Sequence, residues 1–225
     1  MVSATEKIVP GKREQNRNAR RSSILDAARS ILMSGGAEAL VIRRLADMAE
    51  TTPRTIYAIF GSKEGVLLAL YLDVSDLPLA FSNAKSKTLE QILANFGSAM
   101  DRITAEASLM RPLIYALQYA GLTSERVTME DDVAEVLSRS LEICRLRGEL
   151  EGLVAPRMLA RQIVLTFVQG LRRWSQQKVP DGSLCPDTLF GITLLMMGAA
   201  TPGCRQQLQL HLKARQAEMV QYDLT

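Results

Sequence analysis

Arg43 and Arg44 stand a short distance ahead of a run in which Thr52, Arg54, Thr55 and Tyr57 set one guanidinium among several hydroxyls. These groups do not make a nucleophile with its base. What they can do is hydrogen-bond: a guanidinium matches guanine O6 and N7 bidentately, and hydroxyls reach phosphate oxygens or lie against a thymine methyl. Arg54 is the candidate base reader, Thr55 and Tyr57 are candidates for phosphate or thymine-methyl contacts, and Arg43 and Arg44 are candidates for the phosphate backbone. For Tyr57 the competing reading is a half-buried core ring. Upstream, Lys7, Lys12, Arg13, Arg17, Arg20 and Arg21 face Glu14 alone within residues 7–21. Residues 1–65 hold 11 Lys/Arg against 7 Asp/Glu, whereas residues 66–225 hold 16 against 17. The formal charge of +3 therefore conceals a basic N-terminal region. Arg17, Arg20 and Arg21 suit phosphate binding, since neutralised phosphates release counterions; a tail that merely solubilises the chain would have the same composition.

Such groups work only if helices hold them. Apolar residues recur at helical spacing in three bursts: Ile24, Ala28, Ile31 and Leu32; Ile42, Leu45, Met48 and Ala49; Ile56, Ile59 and Phe60. The spacing predicts a first helix over Ala19–Ser34 ended by Gly35-Gly36 in the left-handed conformation. A second spans Ile42–Ala49. A third has Thr52 as its N-cap and Pro53 at its first position, and runs to Ile59. Ser62 caps a fourth, with Glu64 favourable in its first turn. Two short helices joined by a tight turn and braced by another form a helix-turn-helix, which presents one helix to a major groove.

The residues Ile24-Leu25-x-Ala27-Ala28, Leu45-Ala46-x-x-Ala49 and Thr55-Ile56-Tyr57-x-x-Phe60-x-Ser62-Lys63-Glu64 resemble the DNA-binding region of the TetR/AcrR family of bacterial transcriptional regulators. The resemblance is specific over about residues 20–70 and only architectural beyond. It implies that Tyr57 and Lys63 hold the DNA backbone; a plain helix-terminus lysine is the other reading of Lys63. It also implies an effector site and late helices that dimerise. Three departures from the family pattern stand out. Leu40-Val41 replaces a helix-starting Ser or Thr, Glu50 replaces a turn glycine and so bears left-handed strain or demands another turn, and Arg54 replaces a further frequent glycine.

Everything beyond Glu64 reads as helix: to Ser75, with Pro78 and the polar run Ser82–Lys87 closing that helix, then Thr88–Ala107, Ser108–Leu122, Met129–Arg147, Arg157–Lys178, Pro186–Ala200 and Cys204–Val220. No run alternates with period two, so the expected fold is all-α. It comprises a basic arm (1–18), a helix-turn-helix domain (19–65) and a larger helical domain for effector binding and dimerisation (66–225). On Arg157–Lys178 the apolar stripe is too broad for one partner helix. Ile163, Phe167 and Leu171, with Ile192, Leu195 and Met196 on the next element, are therefore candidates for a homodimer interface, the alternative being the core of a monomer. Phe96, Met100, Ile103, Met110, Tyr115, Tyr119, Phe167 and Trp174 are candidates for an apolar effector pocket, although at helical spacing they also suit plain core. The fourth helix would couple that pocket to the reader.

Other function classes find little support. His211 is the chain's one histidine and no HExxH, GxSxG, GxGxxG or phosphate-loop pattern occurs, so no enzymatic activity is expected. Glu130, Asp131 and Asp132 suit a helix start better than acid-base work. Cys144, Cys185 and Cys204 are far apart, which gives neither a disulfide framework nor a zinc site and suits a reducing cytosol. No cofactor or metal is expected. Charges interrupt every apolar span and the N-terminus lacks a signal-peptide pattern, so a cytoplasmic protein without membrane contact is expected. The partners implied are an operator of double-stranded DNA, a small-molecule effector and a second copy of the chain. The expected function is a ligand-responsive transcriptional regulator, with repression as the favoured sense. The remaining alternative is a helical interaction protein of the same fold that docks a protein partner and no longer binds DNA.

Overall fold

A computed structural model describes residues 11–75, 87–119 and 124–222, without the side chains of 119 and 124–129. The polar run after the fourth helix, the first ten residues of the basic arm and the Tyr119 side chain lie outside the described residues. Within these limits the chain forms ten α-helices: α1 Lys12–Gly35, α2 Ile42–Met48, α3 Pro53–Phe60, α4 Lys63–Ser75, α5 Leu89–Ala105, α6 Ala107–Tyr119, α7 Ser124–Leu146, α8 Pro156–Ser175, α9 Leu184–Ala199 and α10 Pro202–Val220. An isolated bridge between Leu150 and Ala200 is the β pairing present among the described residues. The helices fall into two compact units, residues 1–70 and 71–225.

In the first unit α1 supplies Ile24, Leu25, Ala28, Ile31 and Leu32 to a core completed by Leu40, Leu45, Ala46, Ile56, Val66 and Leu67. Gly36 ends α1 with φ +68°, a conformation suited to glycine. At its other end α1 begins at Lys12, not at Ala19, and residues 11–20 are all exposed there. The reason is local. Lys, Arg, Glu and Gln are good helix formers, and Glu14 sits in the first turn where the dipole favours it. Residues 12–18 of the expected arm are therefore helix.

In the second unit α9 packs against α5, α8 and α10, while α8 also packs against α6 and α7. Asp181–Ala199 is long and apolar enough to cross a membrane, yet half of it is buried inside the unit, as suits a core helix. Thr88 caps α5 by accepting the Gln91 N–H at 3.2 Å, and Glu149 accepts the Leu89 N–H at 2.9 Å. At the α8–α9 crossing a Cβ on Gly170 would lie 2.2 Å from Thr188 Oγ1, so only glycine permits this approach. The start of α7 at Ser124 and of α9 at Leu184 precede the expected Met129 and Pro186.

This packing places most of the candidate interface residues in the core of the single chain, the alternative the sequence left open. Ile163, Phe167, Leu171, Ile192 and Met196 are all buried within the single chain, and only Leu195 is partly exposed. The broad stripe on α8 is consumed by three helices of its own chain, which a two-helix pairing argument did not anticipate. The outward side of the same helices instead carries Met158, Leu165 and Leu194, all exposed. Between α8 and α9 lies an open groove of about 360 Å³, lined by Leu165, Thr166, Gln169, Arg173, Asp187 and Phe190 among others.

Candidate nucleic-acid interface

The turn between α2 and α3 decides where the third helix points. Ala49 closes α2, and then the Thr51 N–H donates to Ala46 O at 2.9 Å and the Glu50 N–H to Asp47 O at 3.3 Å. That is a Schellman motif, with Glu50 in the left-handed position at φ 50°. A non-glycine residue there costs about 1–2 kcal/mol. Val41 opens α2 without a side-chain cap, so both departures read from the sequence are present in the structure. Glu50→Gly should therefore raise the stability of this unit by about 1 kcal/mol. It should also tighten DNA binding by removing an exposed carboxylate beside the reading helix. Thermal melts and DNA titrations check both, and an unchanged melt would show the turn to be unstrained.

Thr52 adopts extended backbone and accepts the Thr55 N–H at 3.2 Å, with Pro53 following at the first helical position. The Thr52 and Thr55 hydroxyls also share a hydrogen bond of 3.0 Å, so this pair fixes the helix start as much as it offers contacts outward. Ile56 is fully buried, and α3 packs against α2. Arg54 and Tyr57, three residues apart, therefore stand together on the exposed side, the tyrosine 50% exposed. Half of that side chain is open to solvent and half is covered. Arg43 and Arg44 are exposed on α2, and the Arg44 guanidinium lies close over Gly35. Lys63 is partly exposed at the first position of α4, behind Ser62, whose hydroxyl accepts the Gly65 N–H at 2.9 Å. Arg17 and Arg20 are exposed on α1. Arg21 is partly covered, its guanidinium 5.8 Å from the Phe60 ring centroid, which ties α1 to the last turn of α3.

One residue of this unit escaped the sequence reading. A Cβ on Gly65 would fall 1.9 Å from the Phe60 carbonyl oxygen, so α4 can follow α3 this closely only with glycine there. The signal was present: glycine in the first turn of a helix costs about 1 kcal/mol against alanine and needs a packing reason. Gly65→Ala should displace the end of α3, cost about 1–3 kcal/mol as overpacking does, and impair DNA binding. A crystal structure or melt identical to the wild type would contradict this.

In the second unit Phe96, Met100, Ile103, Met110, Phe167 and Trp174 are all buried, with Phe96 and Phe167 ring centroids 5.3 Å apart. Tyr115 differs, being 38% exposed on α6. Arg111 stacks 4.7 Å over the Trp174 ring and pairs with Asp181; burial lowers its pKa from the usual arginine value. The Trp174 indole N–H is buried and has no hydrogen-bond partner among the described residues. Two open grooves of about 280 and 350 Å³ between α5 and α10 are lined by other residues, among them Glu90, Asp101, His211 and Arg215. Burial pushes the Cys144 thiol up to about 12 and the Cys185 thiol to about 11, so both stay protonated near neutrality and make poor nucleophiles. Among the described residues no cluster of His, Cys, Asp and Glu could hold a metal.

Comparison with known proteins gives the following. Residues 24–70 match the family model "Bacterial regulatory proteins, tetR family". No curated protein matches the chain. Among solved structures, SmeT, the repressor of the Stenotrophomonas maltophilia multidrug efflux pump SmeDEF, is 20% identical with a TM-score of 0.65, covering 84% of this chain and 94% of that one. NalD, the secondary repressor of the MexAB-OprM multidrug efflux pump in Pseudomonas aeruginosa, is 17% identical with a TM-score of 0.59, covering 84% of this chain and 99% of that one. FadR of Thermus thermophilus, a transcriptional repressor in complex with lauroyl-CoA, is 18% identical with a TM-score of 0.61, covering 79% and 94%. At such identities the likeness establishes a shared fold.

Proposed function

Because this chain belongs, through residues 24–70, to the tetR family of bacterial regulatory proteins, we propose that it is a cytoplasmic, ligand-responsive transcriptional repressor that binds a pseudo-palindromic operator as a homodimer. The observation that carries this is α3: a capped helix with Ile56 buried, and with Arg54 and Tyr57 presented to solvent beside Arg43, Arg44 and Lys63. A helix N-terminus of that make-up reads base edges while the surrounding cations hold phosphates. The docking-only alternative gains nothing from an exposed arginine at this position. Binding to duplex DNA that weakens steeply with salt tests the proposal. Affinity for DNA that is absent at low salt would favour the docking protein.

The homodimer is supported by α8 and α9, where Met158, Leu165 and Leu194 are exposed and Leu165 lines an open groove with Phe190, Gly191 and the Arg173–Asp187 ion pair. Two helices from each of two copies make a self-complementary four-helix contact. The effector proposed is a mostly apolar small molecule held among α5, α6 and α8. Buried Met and aromatic side chains support this, as does an indole N–H that a ligand acceptor would satisfy. A SmeT–triclosan complex and the lauroyl-CoA complex of FadR show small molecules bound by proteins of this fold. Helix α4, whose residues contribute to both units, is the proposed coupler. A ligand acts only by its difference in affinity between the two poses, so ligand and operator must weaken each other equally. Trp174 is the one tryptophan, so its fluorescence reports ligand binding directly. A ligand whose affinity is the same with and without operator would contradict the coupling.

A further inference from the structure

In the second unit α5 and α10 both pack on α9, and the two open grooves between them share Glu90 and His211, so they form one continuous trough. Its floor is apolar, with Leu93 of α5, Leu189 of α9 and Leu208 of α10 buried beneath it. The α5 wall is a single row. Glu90, Ala94, Gly97 and Asp101 follow one another at separations of four, three and four, which keeps them in line on a helix. Small residues occupy the middle of the row and carboxylates its two ends, three turns or about 16 Å apart. A Cβ on Gly97 would meet Leu189 Cδ1 at 3.7 Å, so the middle of the row is open and not crowded. Phe96, Met100 and Ile103, the buried side of α5, lie on a different face.

Both ends of the trough carry uncompensated negative charge. At one end Glu90 is exposed, and its neighbour is His211 Nε2 at 3.9 Å. At the other end Arg215 lines the trough, but Glu218 pairs with it at 2.8 Å and leaves Asp101 in excess. Among the described residues no ion pair holds Asp101, and Arg215 is the one guanidinium or ammonium lining the trough. The Cys185 thiol on the α9 side is raised to about 11 by burial first and by the Asp101 charge second, so that carboxylate acts on the interior of the trough. We propose that this trough is a second ligand site, separate from the apolar effector region, and that it takes an elongated dication. One cationic end pairs with Glu90 and the other with Asp101, while the apolar chain between them lies over Leu93 and Leu189 past Ala94 and Gly97. Charge complementarity and length select this occupant. A monocation leaves one carboxylate unmet, and a short dication cannot reach both.

Isothermal titration calorimetry of the full-length protein with dodecane-1,12-diamine tests this. At pH 8 and about 50 mM salt both ammonium groups stay charged and screening is modest. One molecule should bind per chain. Butane-1,4-diamine carries the same two charges on a chain too short to span the row, and should bind at least about tenfold more weakly. Glu90→Gln and Asp101→Asn should each weaken the long diamine about threefold to fivefold, as exposed charge pairs do. Gly97→Leu keeps both carboxylates but fills the middle of the row, and should weaken it about tenfold or more. Glu90 and Asp101 are exposed and Gly97 has room for a Cβ, and circular dichroism verifies that each variant is folded. Equal affinity for the two diamines, or an affinity untouched when both carboxylates are replaced, would mean diffuse counterion binding or another site and overturn the proposal. Normal binding to a folded Gly97→Leu protein would overturn the path of the chain along this wall. Tighter binding of dodecanedioate than of the diamine would overturn the sign of the ligand charge. None of these readouts involves DNA, so the proposal stands or falls apart from the operator-binding reading.

Discussion

Leu194→Arg is expected to give a folded monomer that has lost most of its operator affinity. Leu194 lies on the outward side of α9 and is 46% exposed in the single chain, so an arginine there keeps its charge in water and costs the fold little. In the proposed two-fold assembly the same position lies within the interface, and each copy would bury an unpaired arginine there, at a penalty of several kcal/mol. Leu165→Arg, at 42% exposure on α8, should behave alike. Phe167→Arg and Met196→Arg should instead unfold the chain, because those side chains are buried in its own core and the charge would have no water. Loss of the dimer removes the gain from binding two half-sites at once, about 10²–10⁴-fold in affinity. Light scattering and circular dichroism separate the cases. A Leu194→Arg protein that remains dimeric at micromolar concentration would mean that the interface lies elsewhere.

The second large effect concerns the reading helix. Arg54→Ala should cost about 1–3 kcal/mol on the preferred operator and relax preference at one base pair per half-site. Lys63→Ala should weaken all sequences alike and lower the salt slope by about 1. The contrast follows from geometry. Arg54 lies in the first turn of α3, exposed and without a partner among the described residues, whereas Lys63 is partly exposed at the first position of α4. Competition titrations with operators altered at single positions provide the readout. Unchanged base preference after Arg54→Ala would move the reading role to Thr55 or Tyr57.

The reader was largely legible in the sequence because its determinants are local. A Thr52 cap with Pro53, a Ser62 cap and three short apolar bursts each specify their own helix, and the structure has them where the spacing put them. Glu50 was legible as a conflict, and it sits at positive φ. Long-range packing was less readable. That Gly65 abuts the Phe60 carbonyl, or that Arg21 reaches the Phe60 ring, depends on how elements meet and leaves little trace in periodicity. The apolar stripe of α8 shows the same limit. Periodicity found the apolar stripe of α8, but not that α6, α7 and α9 would together cover it and leave Leu165 and Leu194 outside. The start of α1 was misplaced for another reason: its first residues are helical by propensity, with no apolar period to reveal it.

The measurement that bears most directly on the account is selection of bound fragments from a random duplex library by the full-length protein. The prediction is an enriched pseudo-palindrome whose half-site centres are separated by about 34–36 Å, one helical turn, or a multiple of it. Each half-site should contain a guanine whose enrichment disappears in the same selection with Arg54→Ala. Recovery of fragments with no shared sequence, or of a lone half-site without symmetry, would contradict a dimeric reader built on α3.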